Sequence, residues 1–441
     1  MSAKPTPLSG FPEFLPEQRI VELHIIETVR RIFELHGFAS VETRAAEPLE
    51  QLLRKGEIDK EVYVLRRLHA AEDDTSVLGL HYDLTVPFAR YVLEHAGRLE
   101  FPFRRYQIQK AWRGERPQEG RFREFTQADI DVVGRDELPF HYDVEIARVM
   151  AEALSRLPVP PLRMQINNRK LIEGFYRGVG AADPGAVMRV IDKLDKVPAD
   201  VVAKMLADDA GLSDAQIAKC LALAEIRTPD TSFADRVHAL GVADDVLEQG
   251  IAELQAVVAG CAPAVNERLT VEADLRIARG LDYYTGTVFE TRMAGFEGIG
   301  SVCSGGRYDS LASDGRVTYP GVGISLGISR MLVPLLTRGR LAASRSVPSV
   351  VLVALPSDDD RERCDAVAQT LRGRGIATEV APMAIKYGRQ IRFAERRGIP
   401  YVWFPDSGEI KDIRSGEQLA ADPATWTPPA ADLHPRVQEA Q

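Results

Sequence analysis

The chain has 441 residues, 45% hydrophobic and 27% charged, with a formal net charge of −9. Its length predicts two or three domains, and the acidic balance argues against a protein that coats nucleic acid non-specifically. Because there is no run of about 18 apolar residues, no secretory leader and no paired cysteine spacing for zinc, we expect a cytoplasmic protein with reduced thiols and no membrane span.

The first 167 residues combine helical and extended patterns. Apolar residues recur with helical spacing from residue 16, and the pattern stops at Gly37. A second helix is predicted to start at Pro87. Strands are predicted at 38–43, 62–70, 76–86, 103–115 and 121–134. The last two are long and are joined by a charged loop at 116–120, which favours an antiparallel sheet.

Composition and periodicity change twice further along the chain. Residues 168–265 are rich in alanine, leucine and aspartate and are interpreted as an inserted helical module. Strands resume after it, and beyond residue 345 strands alternate with helices, which indicates a small α/β domain with a mainly parallel sheet. The tail is rich in proline and alanine and is expected to be loosely ordered. The predicted boundaries are 1–167 and 266–345 for the two parts of one core, 168–265 for the insertion, 346–425 for the α/β domain and 426–441 for the flexible tail.

The strand predicted at 121–134 carries one polar face. Because successive side chains point to opposite sides of a strand, Phe125, Gln127, Asp129 and Asp131 share a face, and the opposite face is apolar. Taken alone, this strand is equally well explained by a sheet whose polar face meets solvent.

Three later segments add arginines, glycines and tyrosines to this pattern. RGLDYYTGTVFE (279–290) alternates like a strand but opens with Arg279, and SGGRYD (304–309) predicts a glycine turn before an arginine and a tyrosine. GVGISLGISR (321–330) reads as a glycine-spaced strand that ends in Arg330. Arginines with few acidic partners suit phosphate, because the guanidinium fork binds anionic oxygens bidentately. Carboxylates and an amide beside tyrosines suit a small zwitterionic ligand, and the chain has neither a P-loop nor a dinucleotide-binding glycine motif.

Together these segments resemble the class II aminoacyl-tRNA synthetases and, within them, the histidyl-tRNA synthetase family. WRGERPQEGRFREFTQ resembles motif 2 of the class, GVGISLGISR resembles motif 3, and residues 17–47 resemble motif 1, which forms a dimer interface in that class. RGLDYYTGTVFE and SGGRYD resemble the two histidine-specific signatures, and HYDLTVPFARYV resembles the segment that holds the amino group. The resemblance extends through KYGRQIRFAERRGIPYV. It implies an α+β fold with an antiparallel sheet flanked by helices, a helical insertion and a C-terminal α/β anticodon-binding domain.

The resemblance also implies a reaction and its residues. ATP would activate L-histidine to histidyl-adenylate, and the histidyl group would pass to the 3′ end of tRNA(His), with Arg279 and Arg113 as catalytic residues. The implied histidine-binding residues are Asp83, Thr85, Arg113, Gln127, Asp131, Arg279, Tyr283, Tyr284, Gly306 and Tyr308. The implied ATP-binding residues are Arg113, Glu115, Arg121, Phe125, Gly327 and Arg330. We expect Mg²⁺ with the phosphates, no structural metal, tRNA contacts at Arg116 and Gln118, and a homodimer.

The chain departs from the family pattern at three places. Arg44 stands where motif 1 commonly has proline, Asp83 stands where some relatives have glutamate, and the region after Phe404 is short. The resemblance therefore implies no particular residue of this chain for a base contact in the anticodon, and Arg44 changes the detail of the implied dimer contact.

Two other functions stay open at this point. One is a catalytically inactive, histidine-sensing regulatory paralogue of a histidine-biosynthesis transferase; the other is an RNA-binding protein that uses only its C-terminal domain. An Arg279→Ala variant separates the readings, because an enzyme would lose adenylate formation whereas an RNA binder would be unaffected. The insertion could grip the acceptor stem of tRNA or serve as a structural lid.

Overall fold

A computed structural model describes residues 5–53, 61–69, 77–277, 283–313 and 315–439. Two compact units divide the chain: the first comprises residues 1–12 and 25–334, and the second comprises 13–24 and 335–441. Among the described residues, no helix is both long enough and apolar enough to cross a bilayer.

Both units contain helices and strands. The described α-helices are α1 (Pro16–Leu35), α2 (Leu49–Leu53), α3 (Thr85–His95), α4 (His141–Ser155), α5 (Arg169–Gly178), α6 (Pro184–Ile191), α7 (Ala199–Ala210), α8 (Asp214–Ala224), α9 (Phe233–His238), α10 (Asp245–Cys261), α11 (Ile328–Thr337), α12 (Arg361–Gly373) and α13 (Tyr387–Arg397). The described strands are β1 (Ala39–Ser40), β2 (Ala46–Pro48), β3 (Val64–Leu65), β4 (Leu78–Leu80), β5 (Phe103–Trp112), β6 (Glu124–Val133), β7 (Leu162–Asn168), β8 (Arg227–Thr228), β9 (Leu269–Asp274), β10 (Thr287–Met293), β11 (Cys303–Ser313), β12 (Thr318–Gly327), β13 (Leu341–Ala343), β14 (Val351–Val353), β15 (Thr378–Val380), β16 (Tyr401–Phe404), β17 (Glu409–Asp412), β18 (Gln418–Ala420) and β19 (Val437–Glu439).

The first unit is built on a nine-stranded sheet in the order β1-β5-β6-β12-β11-β10-β7-β9-β8. Neighbouring strands are antiparallel except for the β1–β5 and β7–β9 pairs. A large, mainly antiparallel sheet with helices confirms the α+β class predicted from the sequence. The long strands β5 and β6 pair along their whole lengths, as their shared alternation predicted.

Both faces of β6 are buried. Ala128, Ile130 and Val132 are fully buried, and α4 packs against β6 and β12. On the opposite face Asp129 and Asp131 are also buried, at 3% and 4% exposure. The polar face of β6 therefore does not meet solvent, because its two carboxylates are buried inside the unit. This excludes the alternative of a solvent-exposed polar face.

The sequence prediction differs from the structure where strands meet turns. The strand predicted at 76–86 is only β4, because Asp83 Oδ1 accepts the Val86 backbone N–H at 3.0 Å and the chain enters α3 at Thr85. A carboxylate at this position satisfies one of the free N–H groups of a helix start. In the 279–290 segment, the described strand β10 begins only at Thr287, where pairing with Asn168 begins.

The predicted glycine turn in SGGRYD is wrong. Gly305 and Gly306 lie inside the continuous strand β11 and pair with Ile324 and Gly323 of β12. A Cβ at Gly305 would lie 2.1 Å from the Gly323 carbonyl oxygen. The glycines are required by close approach between strands, not by a change of direction.

Residues 168–265 contain six helices, as expected, but they also contribute β8 to the central sheet. α10 packs on α4 and α5. The close contacts of α10 with α5 pass through Gly174 and Gly250, where an added Cβ would lie 2.3 and 2.1 Å from backbone nitrogen atoms.

The second unit has a five-stranded sheet in the order β15-β14-β16-β17-β18. The first three strands are parallel, which fits the alternation of strands and helices, and β17 and β18 add antiparallel neighbours. The tail differs from the loosely ordered segment expected: β19 pairs with β13, and buried Asp432 accepts hydrogen bonds from Tyr401 and Arg414. The proline-rich composition of the tail does not predict that its carboxylate is buried and paired with side chains of other segments.

Candidate active site

A cavity in the first unit collects residues that lie far apart in the sequence. They come from the β5–β6 loop, from β6, from the start of β11 and the residues just before it, from β12 and from the first turn of α11. The lining residues are Arg113, Glu115, Gly120, Arg121, Phe122, Phe125, Gln127, Ser301, Val302, Ser304, Ser325, Gly327 and Arg330. All six residues expected to bind ATP are therefore in one cavity, together with Gln127.

Three arginines and one aromatic ring determine the chemistry of this cavity. The Arg113 guanidinium lies 5.1 Å from the centre of the Phe125 ring, and its Nε donates to the Tyr82 carbonyl oxygen at 3.0 Å. Arg121 is half-exposed and pairs with Glu115 at 3.3 Å. Arg330 Nε donates to the Ile299 carbonyl oxygen at 3.1 Å. Guanidinium groups held in this way are suited to oxygens of a polyphosphate, and the ring offers a face for stacking.

A buried polar network lies on the same face of the sheet. Tyr308 donates its hydroxyl to Asp131 Oδ1 at 2.7 Å, and Arg105 lies 2.7 Å from Asp131 Oδ2. Burial raises the pKa of Asp131, and the nearby Arg105 opposes that rise. Burial also raises the pKa of Tyr308, so its hydroxyl keeps its proton and donates.

Glycines of β12 make room for this network. An added Cβ at Gly323 would lie 2.0 Å from Asp131 Oδ1, and one at Gly321 would lie 2.3 Å from the Tyr308 ring. Any other residue at either position would displace the side chains that the sequence analysis assigned to histidine. The glycine spacing of this strand is thus explained by the packing of Asp131 and Tyr308 against it.

The two adjacent tyrosines pack next to this network. The Tyr283 ring stacks on Tyr308 with centroids 6.0 Å apart, and it meets the Tyr284 ring at 5.2 Å. Burial raises the pKa of both Tyr283 and Tyr284, and Asp83 and Asp131 add to that rise. An added Cβ at Gly306 would lie 2.6 Å from the Tyr284 ring. The structure therefore brings all of the described histidine-pocket candidates of the two signatures together.

The remaining predicted residues are placed as follows. Asp83 is buried, and Thr85 begins α3 beside it. Arg116 and Gln118 are exposed in the β5–β6 loop. Arg279 lies outside the described residues.

Sequence reasoning gave no role to Arg105, Asp129, Ser304 or Ser325. Asp129 lies on the polar face predicted for β6, and it pairs in register with Ser325, which in turn pairs with Ser304. The signal for Arg105 was available, since the polar residues at 105, 107 and 109 alternate along β5. What the alternation could not supply is which strand lies beside which.

No group of three or more His, Cys, Asp or Glu side chains that could hold a metal ion occurs within the described ranges. Among the described residues that line the cavity, Glu115 is the one carboxylate, and it pairs with Arg121. Among the described residues, the donor set is that of an anion site.

Comparisons with known proteins point to one family. The histidyl-tRNA synthetase family profile matches residues 10–331. The chain is 59% identical to a histidine–tRNA ligase of Cutibacterium acnes, with 99% of each chain covered, and 58% identical to one of Micrococcus luteus, with 98% of each covered. A crystal structure of histidyl-tRNA synthetase from Nostoc sp. superposes with a TM-score of 0.84 at 32% identity, covering 95% of this chain and 97% of that one. This chain belongs to the histidyl-tRNA synthetase family.

Proposed function

We propose that this chain is a histidine–tRNA ligase that uses ATP to activate L-histidine and then transfers the histidyl group to tRNA(His). One observation supports this above all others: the cavity brings Arg113, Arg121 and Arg330 together around Phe125 and Gln127. The relatives at 50–59% identity over nearly the whole chain are histidine–tRNA ligases, which favours the ligase over the regulatory paralogue.

The proposed ATP site uses the cavity described above. Phe125 would stack on the adenine, and Glu115 would meet its edge. Arg121 and Arg330 would hold the β- and γ-phosphates, with Gly327 giving close approach. Arg113 would bridge the α-phosphate and the carboxylate of histidine.

The proposed histidine site lies in the buried network. Asp83, Thr85 and Gln127 would hold the α-ammonium group. Tyr283, Tyr284, Tyr308 and Asp131 would surround the imidazole, with Gly306 leaving space for the ring of Tyr284. Pairing both ring nitrogens would discriminate strongly against apolar isosteres, because a ligand without them leaves buried polar groups unpaired.

Activation needs no general base in this proposal. A carboxylate oxygen of histidine attacks the α-phosphorus, the bond to the bridging oxygen of the β-phosphate breaks, and pyrophosphate leaves. Negative charge develops on the transferred group, so the guanidinium groups of Arg113 and Arg279 would lower the barrier. Loss of one such group typically costs about 2.7–4 kcal/mol of barrier height.

Transfer then joins the histidyl carbonyl carbon to a ribose hydroxyl at the 3′ end of tRNA and releases AMP. Arg116 and Gln118 are exposed in the loop that follows Arg113, which supports contacts with the acceptor end. The second unit is proposed to bind the anticodon through its α/β sheet. The helical segment 168–265 would contact the acceptor stem or act as a lid.

Three further proposals accompany this function. Mg²⁺ would neutralise phosphate charge on bound ATP, and it would be held chiefly by the phosphates, as it often is with only one or two protein carboxylates. Resemblance of residues 17–47 to motif 1 supports a homodimer. A cytoplasmic location remains the expectation from sequence.

ATP–pyrophosphate exchange with each of the twenty amino acids tests the proposal. We expect exchange with histidine alone, and a loss of at least a hundredfold in Arg113→Ala. Arg98→Ala, at an exposed arginine that does not line the cavity, is the control and should retain activity. No exchange with any amino acid by the folded protein would contradict the proposal.

A further inference from the structure

The buried carboxylate of Asp129 has no role in the function proposed above. It lies on β6 between Gln127 and Asp131, on the polar face of the sheet, and is 3% exposed. Burying a carboxylate is costly unless its oxygens are paired. None of the described residues donates a hydrogen bond to its Oδ1 atom. A group this costly to bury, two residues from a cavity-lining amide, calls for an explanation.

Asp129 is connected to the cavity through Ser325. The two residues pair in register on β6 and β12, so their side chains are neighbours on the polar face. The Ser325 hydroxyl acts on the Asp129 carboxylate as a hydrogen-bond donor that lowers its pKa. Gln127 Nε2 donates to Ser325 Oγ at 2.8 Å. Both Gln127 and Ser325 line the cavity.

The chemistry of these groups fixes the direction of the chain of hydrogen bonds. An ionised carboxylate only accepts, so Ser325 must give its single proton to Asp129. The serine oxygen can then only accept from its other neighbour, and the amide of Gln127 must present its NH₂ group to it. Gln127 Oε1 is left over as an acceptor, and it is buried without a donor from any described residue.

We propose that Asp129 is a positioning residue for histidine, which acts through Ser325 to orient the Gln127 amide so that Oε1 accepts a hydrogen bond from the substrate's α-ammonium group. The inference rests on the proposed function, which assigns the ammonium to Gln127. It adds that the orientation of this amide is set by a carboxylate that does not touch the ligand. The negative charge of Asp129 also favours a cation nearby.

The same chain of hydrogen bonds makes the orientation depend on pH. Burial raises the pKa of Asp129 to about 7, against the opposing effect of Arg105. A protonated carboxyl can donate to Ser325, which removes the requirement that Gln127 presents its NH₂ group. The titratable or charged groups that act on Asp129, or on which it acts, are Arg105 on β5, Asp131 on β6, Asp83 before α3, Tyr284 before β10 and Cys303 on β11.

The test compares two ligands and two variants. Asp129→Asn can donate to Ser325, and Ser325→Ala removes the relay. We expect each to raise the KM for histidine in pyrophosphate exchange about tenfold, the effect of one hydrogen bond to a charged group, with kcat changed less than threefold. In Asp129→Asn, whose carboxylate is not among the lining residues of the ATP cavity, the KM for ATP should be unchanged. The double variant should lose no more than either single one. Glu272→Gln, at a half-buried carboxylate on β9 of the same sheet, is the control and should behave as the wild type.

Binding of a histidine analogue without the amino group, 3-(imidazol-4-yl)propanoate, separates positioning from general damage. Calorimetry should show that Asp129→Asn weakens histidine about tenfold and leaves the analogue unchanged. In the wild type, histidine affinity should rise from pH 6 to 8 more steeply than in the variant, since titration of the substrate's imidazole is common to both.

The outcomes separate the two proposals. Suppose that the wild type exchanges with histidine. If Asp129→Asn then binds histidine and the analogue with equally weakened affinity, or binds histidine as the wild type does, the inference is overturned and the proposed function stands. Absence of histidine-dependent exchange in the wild type would overturn both.

Discussion

Asp129→Asn is predicted to stabilise the protein in a pH-dependent manner while weakening histidine binding. In the folded chain burial raises the pKa of Asp129 from 3.8 to about 7, whereas the unfolded chain has the ordinary value. Between these two values the folded state retains a proton that the unfolded state has lost, so stability falls as pH rises through this window. At 1.36 kcal/mol per pKa unit, the full cost of ionising Asp129 is about 4 kcal/mol. It is complete above pH 7 and absent below pH 4.

Asparagine is neutral throughout, so the variant escapes this cost. The stability gain should be about 2 kcal/mol at pH 5 and about 4 kcal/mol at pH 8. Scanning calorimetry of both proteins at several pH values measures this gain in the unfolding transition of the first unit. Asp136→Asn, at an exposed aspartate, is the control and should stay within about 0.5 kcal/mol of the wild type. Equal Tm shifts at pH 5 and pH 8, or a loss of stability at pH 8, would refute the reasoning.

Three other substitutions test neighbouring parts of the site. Gly306→Ala places a methyl group 2.6 Å from the Tyr284 ring, so we expect weaker histidine binding with unchanged ATP binding in exchange assays. Gly97→Ala, whose added methyl group meets nothing within 4 Å, is its control. An unchanged KM for histidine in Gly306→Ala would contradict the packing argument. Asp143→Asn removes the charge that the buried Arg307 pairs with at 2.8 Å. We therefore expect a loss of about 3–5 kcal/mol in the free energy of unfolding. A variant as stable as the wild type would count against this role of the ion pair. Arg116→Ala should impair charging of tRNA more than histidine activation, and equal loss in both reactions would remove the proposed acceptor-end contact.

The sequence alone predicted the class of fold and most of the residues that line the cavity. Alternation from Phe125 to Asp131 assigned two faces to β6, and that assignment holds because a strand has a side-chain period of two wherever it lies. The motif resemblance then selected Arg113, Arg121 and Arg330, three residues that the structure places in one cavity. Periodicity also separated the first, sheet-based region from the later alternation of strands and helices.

Only the tertiary structure decided which polar groups became partners. Tyr308 and Asp131 are 177 residues apart, and Gln127 and Ser325 are 198 apart. Their hydrogen bonds exist because β12 lies between β6 and β11 in a fixed register, and strand order is not encoded in any local pattern. The burial of Asp129 follows from the same arrangement, and burial is what changes a surface carboxylate into one whose protonation is coupled to stability. The local pattern thus determined which side chains share a face, and long-range pairing determined what those side chains can do.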